Sequence, residues 1–275
     1  MTRSHTSLRV GLIGFGAIGR SVVDAWSATP VRGHTLAALL VREHQQGEAL
    51  RAVPPGVAVC TDIADFLAAD LQLAVEVAGH GAVISHGERI LLAGVDLAMI
   101  SVGSLADDGF RARLDHAAAQ GASRMLLPIG AIAGLDGLLA LRRAGLSSVT
   151  YTSTKPPASW KDTPADGPFD LDALTERTVI FSGTAADAAR LYPKNANLAA
   201  VVALAGLGLQ KTRVDLVADP AATGNIGLIE ATGPSSTLTV KVAGASAASN
   251  PKTSQITGMS VLAALDNRGG AIAFI

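Results

Sequence analysis

A chain of 275 residues with 49% apolar and 16% charged side chains can bury a sizeable core, which excludes an intrinsically disordered protein and leaves room for two modest domains. A formal net charge of -1, with no long basic stretch, excludes the phosphate-driven attraction of a nucleic-acid binder, so the expected partner is a small molecule. Cys60 is the only cysteine, which excludes intrachain disulfides and cysteine-rich zinc sites; no metal is expected, and a reduced cytoplasm is the expected compartment.

Residues 1–7 lack the basic-then-apolar order of a signal peptide. The longest apolar run, residues 198–209, is too short to cross a bilayer, so it is expected as a buried helix and no membrane partner is expected. From residue 8 to about 128, short apolar runs alternate with helix-compatible segments. Strands are expected at 8–13, 35–41, 57–60, 73–77, 97–101 and 124–127, with helices at 17–27, 63–69, 82–93 and 109–120. That alternation predicts an α/β, doubly wound parallel sheet of Rossmann type with right-handed crossovers. Beyond Pro128 the pattern changes. A helix over 129–146, a strand at 149–154, a Pro-rich loop over 155–168 and an extended stretch at 179–182 are expected. Helices at 185–191 and 196–207, strands at 212–218, 226–232 and 237–242, and a last helix at 253–265 complete the reading. The expected organisation is a dinucleotide-binding domain over 1–128 and a smaller α+β substrate and dimerisation domain over 129–251, with 252–275 packing back on the first domain.

Gly14-Phe15-Gly16-Ala17-Ile18-Gly19 follows the first strand directly and opens a helix. In such a turn the first glycine permits the sharp bend, the second lets a pyrophosphate approach the backbone, and the third lets helix and strand pack closely. Gly14, Gly16, Ala17, Ile18 and Gly19 are therefore candidates for binding NAD or NADP, whose phosphates would rest on the amides of the helix start. The second strand ends in Leu40-Val41-Arg42, where an NAD-specific sheet usually carries an acid for the ribose 2′-hydroxyl. A guanidinium at Arg42 suits a 2′-phosphate; the other reading is a solvated strand-end arginine. Two later turns, Ala78-Gly79-His80-Gly81 and Ser101-Val102-Gly103-Ser104, fall at the carboxyl ends of parallel strands, where ligands bind. Ala78 and Gly79 join the cofactor candidates. His80 either meets the nicotinamide ribose or substrate, or makes only a structural hydrogen bond.

Further motifs occur in order: Gly130-Ala131-Ile132-Ala133-Gly134-Leu135-Asp136, Lys155-Pro156-Pro157, Phe181-Ser182-Gly183-Thr184-Ala185 and Pro193-Lys194-Asn195-Ala196-Asn197. Asp219-Pro220 and Asn250-Pro251-Lys252-Thr253-Ser254 complete the set. With the nucleotide motif, they resemble the L-aspartate dehydrogenase family over nearly the whole chain. The resemblance implies a homodimer with a second domain related to dihydrodipicolinate reductase. It implies oxidation of L-aspartate to iminosuccinate, which hydrolyses to oxaloacetate and ammonia, with the imine feeding NAD biosynthesis in some bacteria. It also implies that Ala131 and Asn197 contact NAD(P), with Asn195 a close neighbour.

The chain departs from the family in two places. An active-site histidine is expected within an Asn-x-His-x-Ile segment; here the segment is Asn225-Ile226-Gly227-Leu228-Ile229, and all six histidines lie within the first 116 residues. Ile129 also stands where the family usually has serine. Deamination needs an unprotonated amine, and histidine serves because it titrates near neutrality. Lys155 or His80 is the candidate substitute, and Lys155, Lys161, Lys194 and Lys252 are candidate partners for a dicarboxylate. The start of the last helix, near Thr253 and Ser254, would add amides. Lys155 leads because the two prolines after it restrict its backbone. Trp160 is read as a cap on the cleft or as core packing. The alternatives are a relative acting on a different amino acid or imine, or a dinucleotide-binding homologue with impaired catalysis.

Overall fold

The computed structural model describes residues 7–244, 246–247, 250–254 and 256–274. The chain forms two compact units, one reaching Pro128 and resuming at Gly258, the other spanning Ile129–Thr257.

In the first unit, β1 (Leu8–Ile13), β2 (His34–Leu40), β3 (Ala58–Cys60), β4 (Leu73–Glu76), β5 (Asp96–Met99) and β6 (Met125–Leu126) form one sheet in the order β3-β2-β1-β4-β5-β6. Every pairing in it is parallel. The direction of winding reverses between β1 and β4, which makes their carboxyl ends the crevice of a doubly wound sheet. The strands are runs of Val, Leu, Ala and Ile because helices cover them: Val10, Leu12, Leu39, Leu73, Val75 and Leu97 are all buried. The helices are α1 (Ala17–Ala28), α2 (Gln46–Ala52), α3 (Ile63–Leu67), α4 (His80–Leu92) and α5 (Asp108–Gly121). Helix α1 turns Gly19, Val22, Val23 and Trp26 inward at helical spacing. Gly87 lets α4 approach α5, since a Cβ there would press on Leu114.

In the second unit, α6 (Leu135–Ala144) precedes β7 (Ser148–Lys155), β8 (Thr178–Thr184), α7 (Ala185–Leu191) and α8 (Asn197–Ala205). Strands β9 (Arg213–Ala218), β10 (Asn225–Thr232) and β11 (Thr237–Gly244) follow. The five strands order as β11-β10-β7-β9-β8; β7 and β9 run parallel and every other pair antiparallel. A small pair, β12 (Ser246–Ala247) with β13 (Asn250–Ser254), lies before α9 (Ile256–Gly269). In α9, Val261, Leu262 and Leu265 share a core with Val22, Val23 and Trp26. The helix is also tied by the Arg32 amide, which donates to Asp266 Oδ1 at 3.0 Å, and by an Arg268–Asp96 ion pair at 3.1 Å.

Several expectations change. The helix expected from residue 129 begins at Leu135, because Gly130 and Gly134 take positive φ values of 71° and 74° that a right-handed helix cannot hold. Thr253 and Ser254 are extended, so they do not open the last helix and cannot offer helix-start amides to an anion. The apolar run expected as a buried helix is largely α8, where Ala199, Ala200, Val201, Val202 and Ala203 are buried, as expected. Among the described residues, no helix is long and apolar enough to cross a membrane.

Candidate functional site

At the carboxyl edge of the first sheet, the chain leaves β1 through Gly14 at φ 105°. Its amide donates to the Leu40 carbonyl at 2.9 Å, and a Cβ there would strike Ala78. Gly16 caps α1 without a side-chain bond, and among the described residues nothing lies within 4 Å of where its Cβ would point. A Cβ at Gly19 would run into the Gly14 carbonyl. Turn, open approach and close packing are thus separated on three glycines, and the amides of Ala17 and Ile18 precede the first intrahelical donor, Arg20, which bonds the Gly16 carbonyl. This is a cradle into which a pyrophosphate fits.

Beside it, Arg42 is exposed just past β2. The following turn is held by Gln45 Nε2, which donates to the Phe15 carbonyl at 3.0 Å. Arg20 stacks its guanidinium 4.4 Å from the Phe15 ring centroid and pairs with Glu48. On the other side of the winding reversal, Glu76 ends β4 with its carboxylate almost wholly buried. Its Oε1 accepts from the Ala78 amide at 2.7 Å, the Gly79 amide at 2.6 Å and Ser101 Oγ at 2.9 Å. Its Oε2 accepts from the Ser101 amide at 3.2 Å. Burial pushes this carboxyl above the usual carboxylate range, and the bonds from Gly79, Ser101 and Ala78 pull it back. Gly79 stands at φ 126°, and His80, half-buried, opens α4.

In the second unit, residues two apart on β7 share a face, which places Tyr151, Ser153 and Lys155 in one row. Lys155 is buried; its Nζ donates to Asn195 Oδ1 at 2.9 Å and lies 5.3 Å from the Trp160 ring centroid. Gly227 of β10 pairs with Ser153 of β7. A Cβ on Gly227 would come within 2.9 Å of Ile132 Cδ1 and 3.1 Å of Tyr151 Oη. Burial pushes the Tyr151 phenol well up, against a hydrogen bond with the Ser153 side chain, so the hydroxyl stays protonated as a fixed dipole.

Residues 14–128 match the family model for the homoserine dehydrogenase NAD-binding domain, and residues 136–268 match that for the aspartate dehydrogenase C-terminal region. L-aspartate dehydrogenase of Cupriavidus necator is 45% identical over 268 residues, covering 96% of this chain and 99% of the relative. That of Pseudomonas aeruginosa is 41% identical over 281 residues, covering 96% and 99%. The chain belongs to the L-aspartate dehydrogenase family. The crystal structure of aspartate dehydrogenase from Thermotoga maritima is 26% identical and superposes with a TM-score of 0.75 over 98% of this chain and 99% of that one. An amine dehydrogenase from Mycobacterium smegmatis, 14% identical with a TM-score of 0.59 over 96% and 91%, shares the fold.

Within this aspartate dehydrogenase-family chain, Gly14, Gly16, Arg42, Ala78 and Gly79 lie in the turns beyond β1, β2 and β4, and Ala17, Ile18 and Gly19 form the first turn of α1. Lys155 and Asn195 are brought into direct contact. Asn197 opens α8, and Ala131 adjoins Ile132 in the loop before α6. Lys161 pairs with Asp172 at the surface and Lys194 is exposed, while the side chain of Lys252 lies outside the described residues. Trp160 is fully buried, donates from Nε1 to the Val217 carbonyl at 3.0 Å and meets Tyr192 edge-on, so it is core and not a cap. Glu76 was missed by sequence reasoning. Its signal was present: a carboxylate inside the apolar run Leu73-Ala74-Val75-Glu76-Val77 must find donors when buried.

Proposed function

We propose that the chain interconverts L-aspartate and iminosuccinate using NAD or NADP, with iminosuccinate yielding oxaloacetate and ammonia on hydrolysis. One observation carries the reading: the glycine cradle lies at the winding reversal of a parallel sheet in a chain whose family is the L-aspartate dehydrogenases. When bound, the nicotinamide supplies the hydride acceptor or donor. The chain's own work is to hold, orient and move protons. The amides at Ala17, Ile18 and Gly19 take the pyrophosphate, and Arg42 takes a 2′-phosphate where NADP binds. Ala78, Gly79, Ala131, Asn195 and Asn197 are assigned to the cofactor by position and by family likeness.

The Lys155 ammonium, aimed by Asn195 and the Trp160 face, pairs with a substrate carboxylate. His80, at the start of α4, is the proposed proton carrier. A homodimer and a cytoplasmic setting accompany the reading. The test follows absorbance of the reduced cofactor during incubation with oxaloacetate and ammonia. Sustained oxidation of NADPH or NADH is expected. Turnover with other keto acids but none with oxaloacetate would replace aspartate by another amino acid, and cofactor binding without any turnover would leave only a nucleotide-binding protein.

A further inference from the structure

A buried carboxylate beneath an anion-binding edge needs a reason. Glu76 is 1% exposed and sits on the strand that adjoins β1 at the winding reversal. An ionised group there adds repulsion toward a pyrophosphate, so as mere packing an apolar residue would serve better. What Glu76 does have is four donors from two separate turns: the amides of Ala78 and Gly79 beyond β4, and the amide and hydroxyl of Ser101 beyond β5. The first of these turns touches the glycine cradle, because Ala78 fills the space beside Gly14. The second is locked in its own right, since the Ser101 carbonyl accepts from the Ser104 amide at 3.1 Å and hydroxyl at 2.7 Å. One side chain therefore joins the ends of three adjacent strands.

The bonds also decide what these turns cannot do. With the Ala78, Gly79 and Ser101 amides committed to Glu76, the β4 and β5 edge is not a second phosphate cradle. It is a rigid wall of fixed shape. In a doubly wound sheet the half that reads the adenosine ribose ends at β2, so β4 and β5 border the nicotinamide half. We propose that Glu76 is a positioning residue for the cofactor: its carboxylate fixes the turns that seat the nicotinamide riboside, without touching the cofactor itself. The proposal rests on the dinucleotide reading of this edge.

The test uses the full chain with Glu76→Gln and, separately, Ser101→Ala. An isosteric amide keeps an oxygen for the Ala78 and Gly79 amides but turns an N–H toward the Ser101 amide, so the β5 turn must shift. Ser101→Ala removes one donor and keeps the charge. Calorimetry compares NADPH with 2′,5′-ADP, which carries only the adenosine half. Glu76→Gln should weaken NADPH roughly tenfold or more, the size of one lost charge-assisted bond, and change 2′,5′-ADP less than about twofold. Ser101→Ala should move the same way by less. In turnover, KM for the cofactor should rise more than kcat falls. Equal loss of both ligands, or unchanged NADPH affinity in both variants, would overturn the proposal. Failure of the unsubstituted protein to bind either ligand would overturn the dinucleotide reading itself, a result distinct from both.

Discussion

Gly227 offers the sharpest perturbation of the second unit, because the structure says what an added atom would meet. The residue lies in β10 between Ser153 of β7 and Val242 of β11, in backbone that any residue can adopt. A Cβ would stand 2.9 Å from Ile132 Cδ1, 3.1 Å from Tyr151 Oη and 3.4 Å from Tyr151 Cε2. These neighbours differ in how far they can yield. Ile132 Cδ1 is the free end of a flexible side chain, whereas the Tyr151 ring is fully buried and its hydroxyl is bonded to Ser153. Gly227→Ala gains about 0.4–1 kcal/mol from a stiffer unfolded chain. Overpacking costs about 1–3 kcal/mol, so a net loss of about 1 kcal/mol is expected. Ile132→Val deletes the obstructing methyl and alone costs about 0.5–1.5 kcal/mol. If Ile132 is the main obstacle, the double variant should be more stable than the sum of the singles by about 1 kcal/mol, read from urea unfolding. Additivity to within about 0.3–0.5 kcal/mol would refute this account of the packing. The same arithmetic bears on a histidine at this position: Gly227→His should fold well only with Ile132 trimmed.

The other perturbations use single positions. Gly16→Ala adds a methyl to open space, so stability should stay within about 1 kcal/mol while NAD(P)H affinity falls; Gly19→Ala meets the Gly14 carbonyl and should cost about 3 kcal/mol. Thermal unfolding with and without cofactor separates the two, and the reverse order would sink the division of labour among the glycines. Arg42→Ala should weaken NADPH by roughly tenfold to a hundredfold and leave NADH within about twofold; calorimetry showing equal changes would remove Arg42 from the 2′-phosphate. His86 has its pKa lowered first by burial and then by Arg89, and its Nδ1 is buried without a hydrogen-bond partner among the described residues. A base whose native pKa is depressed contributes stability above the unfolded value of about 6.5 and loses it as pH falls through that window. Unfolding free energy should therefore drop between pH 7.5 and 5.5, and His86→Gln should flatten that slope; an unchanged slope would show that His86 is not its source.

The nucleotide half was legible because its signals are local. Each glycine of the first turn acts on atoms within a few residues or on the adjacent strand, so spacing alone announces the geometry. The end of β7 at Lys155 was legible for a similar reason, because Pro156 and Pro157 stop the strand there. What stayed hidden depends on register. Tyr151 and Gly227 are neighbours only because β7 pairs with β10, and Glu76 meets Ser101 only because β4 pairs with β5. The start of α6 was misplaced although its glycines were visible: apolar periodicity continued through Gly130 and Gly134, but their left-handed φ decides the boundary. Helix α2 escaped notice because Gln46 and Gly47 give its first turn little apolar pattern, and only Ala49 is buried.

Gly227 also forces a decision about proton traffic. Oxidation of aspartate starts from an ammonium, which must lose a proton before hydride can leave the carbon. A base in the site typically supplies about 10² to 10⁴-fold in rate, equivalent to about 3–5.5 kcal/mol of barrier. Tyr151, the nearest polar atom to the empty position, is held protonated by burial and cannot accept that proton. If solvent does the work, kcat/KM for aspartate should climb about tenfold per pH unit until the substrate amine itself is free. If a side chain does the work, removing it should cost that same about 10² to 10⁴-fold at fixed pH. With His80 in that role, kcat/KM for aspartate should fall by about that factor in His80→Gln. Calorimetry of the same variant should show cofactor affinity unchanged. Turnover unchanged in His80→Gln would place the base elsewhere or leave deprotonation to water, with the chain only binding and orienting its substrate.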